Sequence, residues 1–102
     1  MSELAYDFEW DARKAATNLQ KHGVTFEQAA SVFSDQLSLT VFDEEHSDHE
    51  ERWFTLGFSI EGKLLAVAHT HDVVSLNGSR VRIISARPAT KHEQRFYADK
   101  PR

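Results

Sequence analysis

Apolar positions in the first third of the chain have spacings that predict one strand followed by two helices. Residues 6–10 alternate aromatic and acidic side chains with a period of two, which indicates a strand with one buried face. Asp11 stands at a capping position, apolar residues follow at helical spacing through 12–22, and Gly23 suits a left-handed C-terminal cap. Thr25 begins a capping box for a second helix, whose apolar stripe at i, i+3, i+4 and i+7 is expected in the core.

The remainder of the chain has the alternation of a strand-rich region closed by a helix. We predict strands at 37–41, 53–60, 64–70 and 80–86, separated by a loop at 43–49, a turn at 61–63 and a polar connection at 73–79. Thr90 and Glu93 form a capping box that opens the final helix.

The predicted order of elements is therefore β-α-α-β-β-β-β-α. Consecutive strands joined by short turns favour an antiparallel sheet with the helices segregated onto one face, which is an α+β fold. At 102 residues, without an internal repeat, linker or low-complexity tract, the chain is expected to form a single domain over 1–102.

Composition excludes several classes of protein. No apolar run approaches the ~18 to 20 residues that cross a bilayer, and the N-terminus lacks the pattern of a signal peptide, so we expect a cytoplasmic protein without membrane contact. The chain has no cysteine, which excludes disulfides, thiolate zinc sites and thiol nucleophiles. Any chemistry must come from His, Asp, Glu, Lys, Arg, Tyr or Ser.

Charge is divided unevenly along the chain. The formal net charge is -4, yet residues 80–102 hold seven Lys and Arg against two acidic residues, a balance of +5. Residues 1–79 have a balance of -9, with six acidic side chains packed into 43–51. A basic C-terminal region can meet a phosphate backbone or an acidic partner, whereas an acidic stretch is typically a solvated loop.

Several short strings, in their order along the chain, resemble the BrnT toxin family. They are Phe8-Glu9-Trp10-Asp11, Asn18 with Lys21-His22-Gly23-Val24, Phe26, His46-Ser47 with Glu50-Glu51-Arg52, Gly57, Gly62, Leu64-Leu65 to His69-Thr70, and Arg82-Ile83-Ile84-Ser85-Ala86-Arg87 followed by Ala89-Thr90 and Glu93. Each string alone is weak, but the combination covers about residues 8–97.

The resemblance implies a RelE-like fold and a type II toxin that cleaves RNA, with messenger RNA as the expected substrate, without a metal or other cofactor. It also implies neutralisation by a BrnA-like ribbon-helix-helix antitoxin in a hetero-oligomer. That complex would repress the shared operon, so that DNA is contacted only through the antitoxin.

Arginines near the end of the last strand are candidates to stabilise a phosphate. RNA cleavage through the 2'-hydroxyl needs a base, an acid, and cations where charge grows on the phosphorus oxygens. In a regular strand Arg82 and Arg87 point to opposite faces. Arg87 stands just before Pro88 and could turn toward a cleft, so we favour it as the transition-state cation, with Arg82 as a second one. The alternative is that Arg87 forms a structural ion pair with Glu93 or the acidic segment.

Arg52 begins the strand that carries Phe54, Leu56 and Phe58 on its expected core face, and Glu51 precedes it. Alternation directs the aliphatic part of the Arg52 side chain toward that face, where a charged group must be compensated by a partner or serve a function. Either Arg52 is paired structurally with Glu50 or Asp43, or it lines a catalytic site with Glu51 as the base.

His69 is a second candidate for proton transfer, since histidine titrates near neutral pH. The alternative is a histidine at the edge of the core, bonded to a backbone carbonyl. His69 and His71 share a strand face and, with His46 and His49, could suggest a metal site, but their spacing is loose and we expect no metal.

Further residues are candidates for RNA binding, each with a structural alternative. Lys21 and His22 suit the last turn of a helix for dipole reasons alone, and only the resemblance suggests a substrate contact. Trp53 could stack on a base or pack against the antitoxin, and Tyr97 could lie near the site or in the core. The basic set is completed by Arg80 and Lys91.

The sequence departs from the family after His69-Thr70, where relatives often carry an arginine and this chain has His71-Asp72. Arg80 could supply that cation from across the connection, or this copy cleaves weakly. Two other functions stay open: inhibition of DNA gyrase, as ParE-like relatives do, and a non-enzymatic role as co-repressor with the antitoxin.

Overall fold

Five strands and three α-helices make up the computed structural model, which describes residues 5–101. The strands are β1 (Ala5–Glu9), β2 (Leu39–Phe42), β3 (Trp53–Phe58), β4 (Leu64–Ser75) and β5 (Gly78–Pro88), and the helices are α1 (Ala12–His22), α2 (Phe26–Ser31) and α3 (Lys91–Asp99). Short 3-10 turns at Val32–Ser34 and Glu44–His46 complete the order. The α+β class expected from the sequence is confirmed.

Local capping signals set the ends of the helices. Asp11 accepts hydrogen bonds from the backbone of Arg13 and Lys14, and Gly23 closes α1 in the left-handed conformation at φ 68°. Complete capping boxes open α2 at Thr25 and α3 at Thr90. These predicted boundaries are confirmed because they depend on neighbouring residues alone.

The strands form one sheet in the order β1-β5-β4-β3-β2. Strands β2 to β5 pair antiparallel with their neighbours, but β1 pairs parallel with β5. The expectation of a purely antiparallel sheet is therefore wrong. After β1 the chain passes through both helices to the far edge, and the meander that follows brings β5 back alongside β1 in the same direction.

Helices cover both faces of the sheet, which corrects the expectation of one covered face. On the first side, here called the helix face, Phe26 and Val32 pack with Val67, Val81 and Ile83 in the larger core cluster. On the opposite side, here called the arginine face, Tyr97 of α3 packs with Leu56 and Ala66. Double coverage leaves the middle of β4 buried at every position from Leu65 to His69.

The side chains of β3 divide between the two faces differently from the prediction. Thr55 on the helix face is only 1% exposed, whereas Phe58, expected in the core, is 43% exposed. Gly57 allows the 3-10 turn to approach the sheet closely, since a Cβ there would lie 2.9 Å from Val32 Cγ1. Thr55 and Gly57 of β3 are thus buried on the helix face, just as Leu56 is buried on the arginine face.

Two segments predicted to be irregular have more structure than expected. The connection at 73–79 continues the β4–β5 hairpin, with Val73 pairing Ser79 and Ser75 pairing Gly78. In the segment 43–49 a 3-10 turn forms at Glu44–His46, and the backbone of Asp43 bonds to that of Arg52. Among the helices of residues 5–101, none is long and apolar enough to cross a membrane.

Candidate functional site

Arg82 and Arg87 lie on the same face of the sheet, contrary to the alternation expected from a regular strand. In the β4–β5 register Arg82 pairs with Thr70 and Arg87 with Ala66, four residues apart on β4 but five apart on β5. The extra residue is Ile84, at a register shift between the pairs of Ala68 and His69. This irregularity restores a common direction, with the two Cα atoms about 13 Å apart along the strand.

Arg87 forms a two-pronged ion pair with Glu93 of α3. Arg87 Nη1 donates to Glu93 Oε1 at 2.7 Å and Nη2 to Oε2 at 2.9 Å, while Glu93 also accepts from the backbone of Thr90. The hydrogen bonds from Arg87 lower the pKa of the Glu93 carboxyl to about 2, and Glu93 raises the pKa of Arg87. The structural ion pair considered as an alternative role for Arg87 is therefore present, and it joins the Arg87 guanidinium to the first turn of α3.

Arg82 and Arg52 flank a second carboxylate on the same face. Arg82 Nη2 donates to both oxygens of Glu50, at 2.9 and 3.1 Å, and Arg52 Nε lies 4.0 Å from Glu50 Oε1. Trp53 pairs with His69, so Arg52, one residue earlier, lies level with Thr70 and hence with Arg82. Three neighbouring strands thus bring Arg52, Thr70 and Arg82 into one row.

A polar cavity of about 550 Å³ opens beside this row. It is lined by Glu9, Glu50, Glu51, Thr70, His71, Asp72, Arg80 and Arg82. Arg80 Nε lies 3.6 Å from Glu9 Oε1. This contact holds Arg80, the candidate to replace the arginine found in relatives, at the wall of the cavity. The cavity brings together the candidate base Glu51 and two of the predicted arginines, Arg80 and Arg82. His71 lies at its rim, but its side chain is on the helix face, since it pairs with Val81 and its ring lies beside Tyr6.

His69 is buried in the core of the helix face, away from the cavity. It is 2% exposed, its ring lies edge-on to Phe33, and its Nε2 shares a 2.7 Å hydrogen bond with Thr55 Oγ1. Burial lowers the pKa of His69 to about 4, which keeps the imidazole neutral. The expectation of a proton-transfer role for His69 is therefore wrong. Its ring points to the helix face, where the helices cover it and no substrate can reach it.

Tyr97 also lies in the core rather than at a binding surface. It is 8% exposed, contacts Phe58 edge-on, and its hydroxyl donates to Asp35 Oδ2 at 2.6 Å. The prediction of an RNA contact is corrected, since α3 packs this ring onto the sheet. Trp53 is half-buried and stacks edge-on with Phe42 at 4.9 Å, so only part of its ring is accessible.

The remaining basic candidates lie on exposed helix surfaces. Lys21 and His22 line a groove of about 340 Å³ between α1 and the edge of β5, which Arg13 and Lys14 extend along the helix. Lys91 is exposed at the start of α3. The whole of α1 has no acidic residue, a signal in the sequence that would have pointed to Arg13 and Lys14.

Sequence reasoning missed Glu50 as part of the site. Glu50 appeared only as a structural partner of Arg52, yet its closer contact is with Arg82, 32 positions away. Among residues 5–101, no three His, Asp or Glu side chains gather as metal ligands, and His46 pairs with Asp43 at 3.0 Å. The chemistry available on the arginine face is that of guanidinium and carboxylate groups, with the hydroxyl of Thr70 between them.

Comparison with known proteins identifies a family and a similar fold. The family described as the ribonuclease toxin, BrnT, of type II toxin-antitoxin systems matches residues 10–93. No curated protein matches the chain. Among solved structures, the ribonuclease toxin BrnT of Brucella abortus is similar with a TM-score of 0.56 and 22% identity, over 85% of this chain and 100% of that one.

Proposed function

The chain belongs to the BrnT family of ribonuclease toxins of type II toxin-antitoxin systems, and from this premise we propose that it cleaves RNA on its arginine face. The observation that carries the proposal is the common direction of Arg52, Arg82 and Arg87, which sequence alternation alone would not give. Messenger RNA is the expected substrate. We also propose that the fold is related to that of RelE-like toxins.

The reaction proposed is attack of a 2'-hydroxyl oxygen on the adjacent phosphorus. The 2'-proton passes to Glu51, a bond forms from the 2'-oxygen to phosphorus, and the bond to the leaving 5'-oxygen breaks as that oxygen takes a proton from water. Arg82, Arg52 and Arg87 stabilise the charge that grows on the phosphorus oxygens, which guanidinium forks suit well. These side chains supply the base and the cations, and none of the steps requires a metal ion.

Neither histidine of β4 serves as the acid in this proposal. His69 is buried and neutral, and His71, two residues later in regular pairing with β5, has its side chain on the same helix face beside Tyr6. We therefore assign the proton taken up by the leaving 5'-oxygen to water, which reaches this exposed cavity.

The groove along α1 is proposed to guide the RNA strand to the cavity. Lys21 lies there with Arg13 and Lys14, and none of these three cations is in an ion pair within the described part of the chain; His22 lines the same groove. Unpaired cations along a groove favour a phosphate backbone over a neutral ligand. Lys91 and the accessible edge of Trp53 are weaker candidates for the same strand.

A type II toxin has an antitoxin as its partner, and we propose that this one is a BrnA-like ribbon-helix-helix protein. The complex would be a hetero-oligomer that represses its own operon and touches DNA through the antitoxin alone. The acidic segment 43–51 supports contact with a basic arm of such a partner, since opposite charges steer association.

The test is induction of this chain alone in a bacterial host, with growth and RNA integrity followed in the same cultures. We expect growth arrest with RNA decay, lost in Arg87→Ala and on co-expression of the antitoxin, and retained in Arg95→Ala, which removes a cation elsewhere on α3. Arrest with intact RNA would overturn the proposal in favour of another target such as gyrase. Soluble protein without arrest would favour the co-repressor.

A further inference from the structure

The carboxylate of Glu50 lies between two guanidinium groups on the arginine face. Arg82 Nη2 holds both of its oxygens, and Arg52 Nε is 4.0 Å from the nearer one. An acidic group that is held by Arg82 and lies next to Arg52, on a face proposed to hold phosphate, occupies the position that the substrate's own anion needs. Glu50 and the substrate therefore compete for the same donors.

Arg52 supplies an independent sign that this anion position is incompletely filled. Its Nε is buried, and it is the side-chain atom within residues 5–101 that is buried without a hydrogen-bond partner. Buried donors are nearly always satisfied, so an orphan of this kind calls for an explanation. A phosphate group, with its oxygens spread in three directions, can reach the forks of both Arg52 and Arg82, whereas the carboxylate reaches only one.

The contact that holds Glu50 is one that a ligand can displace. The side chains of Glu50 and Arg82 are 42% and 46% exposed, and exposed ion pairs are weak. Glu50 also lies outside the strands, in the acidic segment before β3. Its side chain can swing away without breaking any pairing of the sheet.

We infer that the Glu50 carboxylate holds the place of a phosphate group in the free protein, between Arg52 and Arg82, and that a phosphodiester of the RNA displaces it. This inference rests on the proposed function for the identity of the ligand. It makes Glu50 an internal competitor for RNA, beside Glu51, which faces the same cavity as a reacting group.

Binding of a short, fluorescently labelled 2'-O-methyl RNA, which has no free 2'-hydroxyl to react, tests this at low salt by fluorescence anisotropy. Glu50→Gln is expected to bind roughly two- to fivefold tighter than the unchanged protein, the range set by an exposed ion pair. Glu44→Gln is the matched control: it removes the same charge from an exposed position in the same segment and should change affinity by less than half of that. The gain of Glu50→Gln should vanish when Arg82→Ala is added.

Equal affinity in Glu50→Gln and Glu44→Gln, or weaker binding in Glu50→Gln, would overturn the inference. Tighter binding of a polyglutamate peptide with no gain for the oligonucleotide would assign the position to an acidic protein and overturn it as well. Cleavage of unmodified RNA is scored separately: intact RNA with the expected gain in affinity would defeat the proposed function alone, and cleaved RNA without the gain would defeat the inference alone.

Discussion

The two faces of the sheet are built from the same strands, yet they treat polar groups in opposite ways. On the helix face the polar groups are few and fully bonded: Asn18 donates to the carbonyls of Val24 and Ala86 and accepts from the Ala86 amide, and His69 is bonded to Thr55. On the arginine face, beyond the reach of α3, charged groups are half-exposed and paired with carboxylates that can move. The helix face therefore stabilises the fold, whereas the charged groups of the arginine face can exchange their partners for a ligand.

The largest effect is expected from Asn18→Ala on the helix face. Its three hydrogen bonds, of 2.8 to 3.0 Å, tie the end of α1 to β5, and Asn18 is 5% exposed. Removing the amide strands buried backbone groups of Val24 and Ala86, which should lower the free energy of unfolding by about 3 kcal/mol. Denaturant melts measure this. Gln20→Ala, exposed on the same helix, should stay within about 0.5 kcal/mol, and a similar change in both variants would remove the distinction between the faces.

A smaller effect, set by pH, comes from His69. Burial lowers its pKa from 6.5 to about 4, so that the unfolded chain takes up a proton where the folded one does not. The stabilisation is complete above about pH 6.5 and is lost as pH falls toward 4. Between pH 7 and pH 5 the free energy of unfolding should fall by about 2 kcal/mol from this group. Urea melts at several pH values should give a flatter profile for His69→Gln, and an unchanged slope would mean that His69 is solvated.

The smallest effect belongs to the arginine face, in Glu93→Gln. Glutamine keeps the capping box of α3 but weakens the fork to Arg87, whose side chain is 34% exposed, so the free energy of unfolding should fall by about 1 kcal/mol or less. Because Arg87 lowers the pKa of Glu93 to about 2, this loss should be complete above pH 4.5 and vanish as pH falls toward 2. A loss as large as that of Asn18→Ala would show that the pair holds the fold rather than the site.

Local patterns predicted the helix caps, because Asp11, Gly23 and Thr90 act on residues within one turn. The directions of Arg82 and Arg87 escaped prediction because the irregularity at Ile84 depends on the pairing of β5 with β4. The parallel pairing of β1 and the burial of His69 likewise depend on which elements meet across the sheet. Candidate residue types could thus be named from sequence, but the contact of Glu50 with Arg82 required the fold.

Cleavage of a short labelled single-stranded RNA by purified protein freed of antitoxin decides whether the arginine face is the site of RNA cleavage. We predict that Arg82→Ala lowers the single-turnover rate about 100-fold, the loss typical when one stabilising donor is removed from a transition state. Arg95→Ala, with the same charge change on the exposed surface of α3, should stay within about twofold. A rate for Arg82→Ala equal to that of the unchanged protein would contradict the assignment of the arginine face as the site of RNA cleavage.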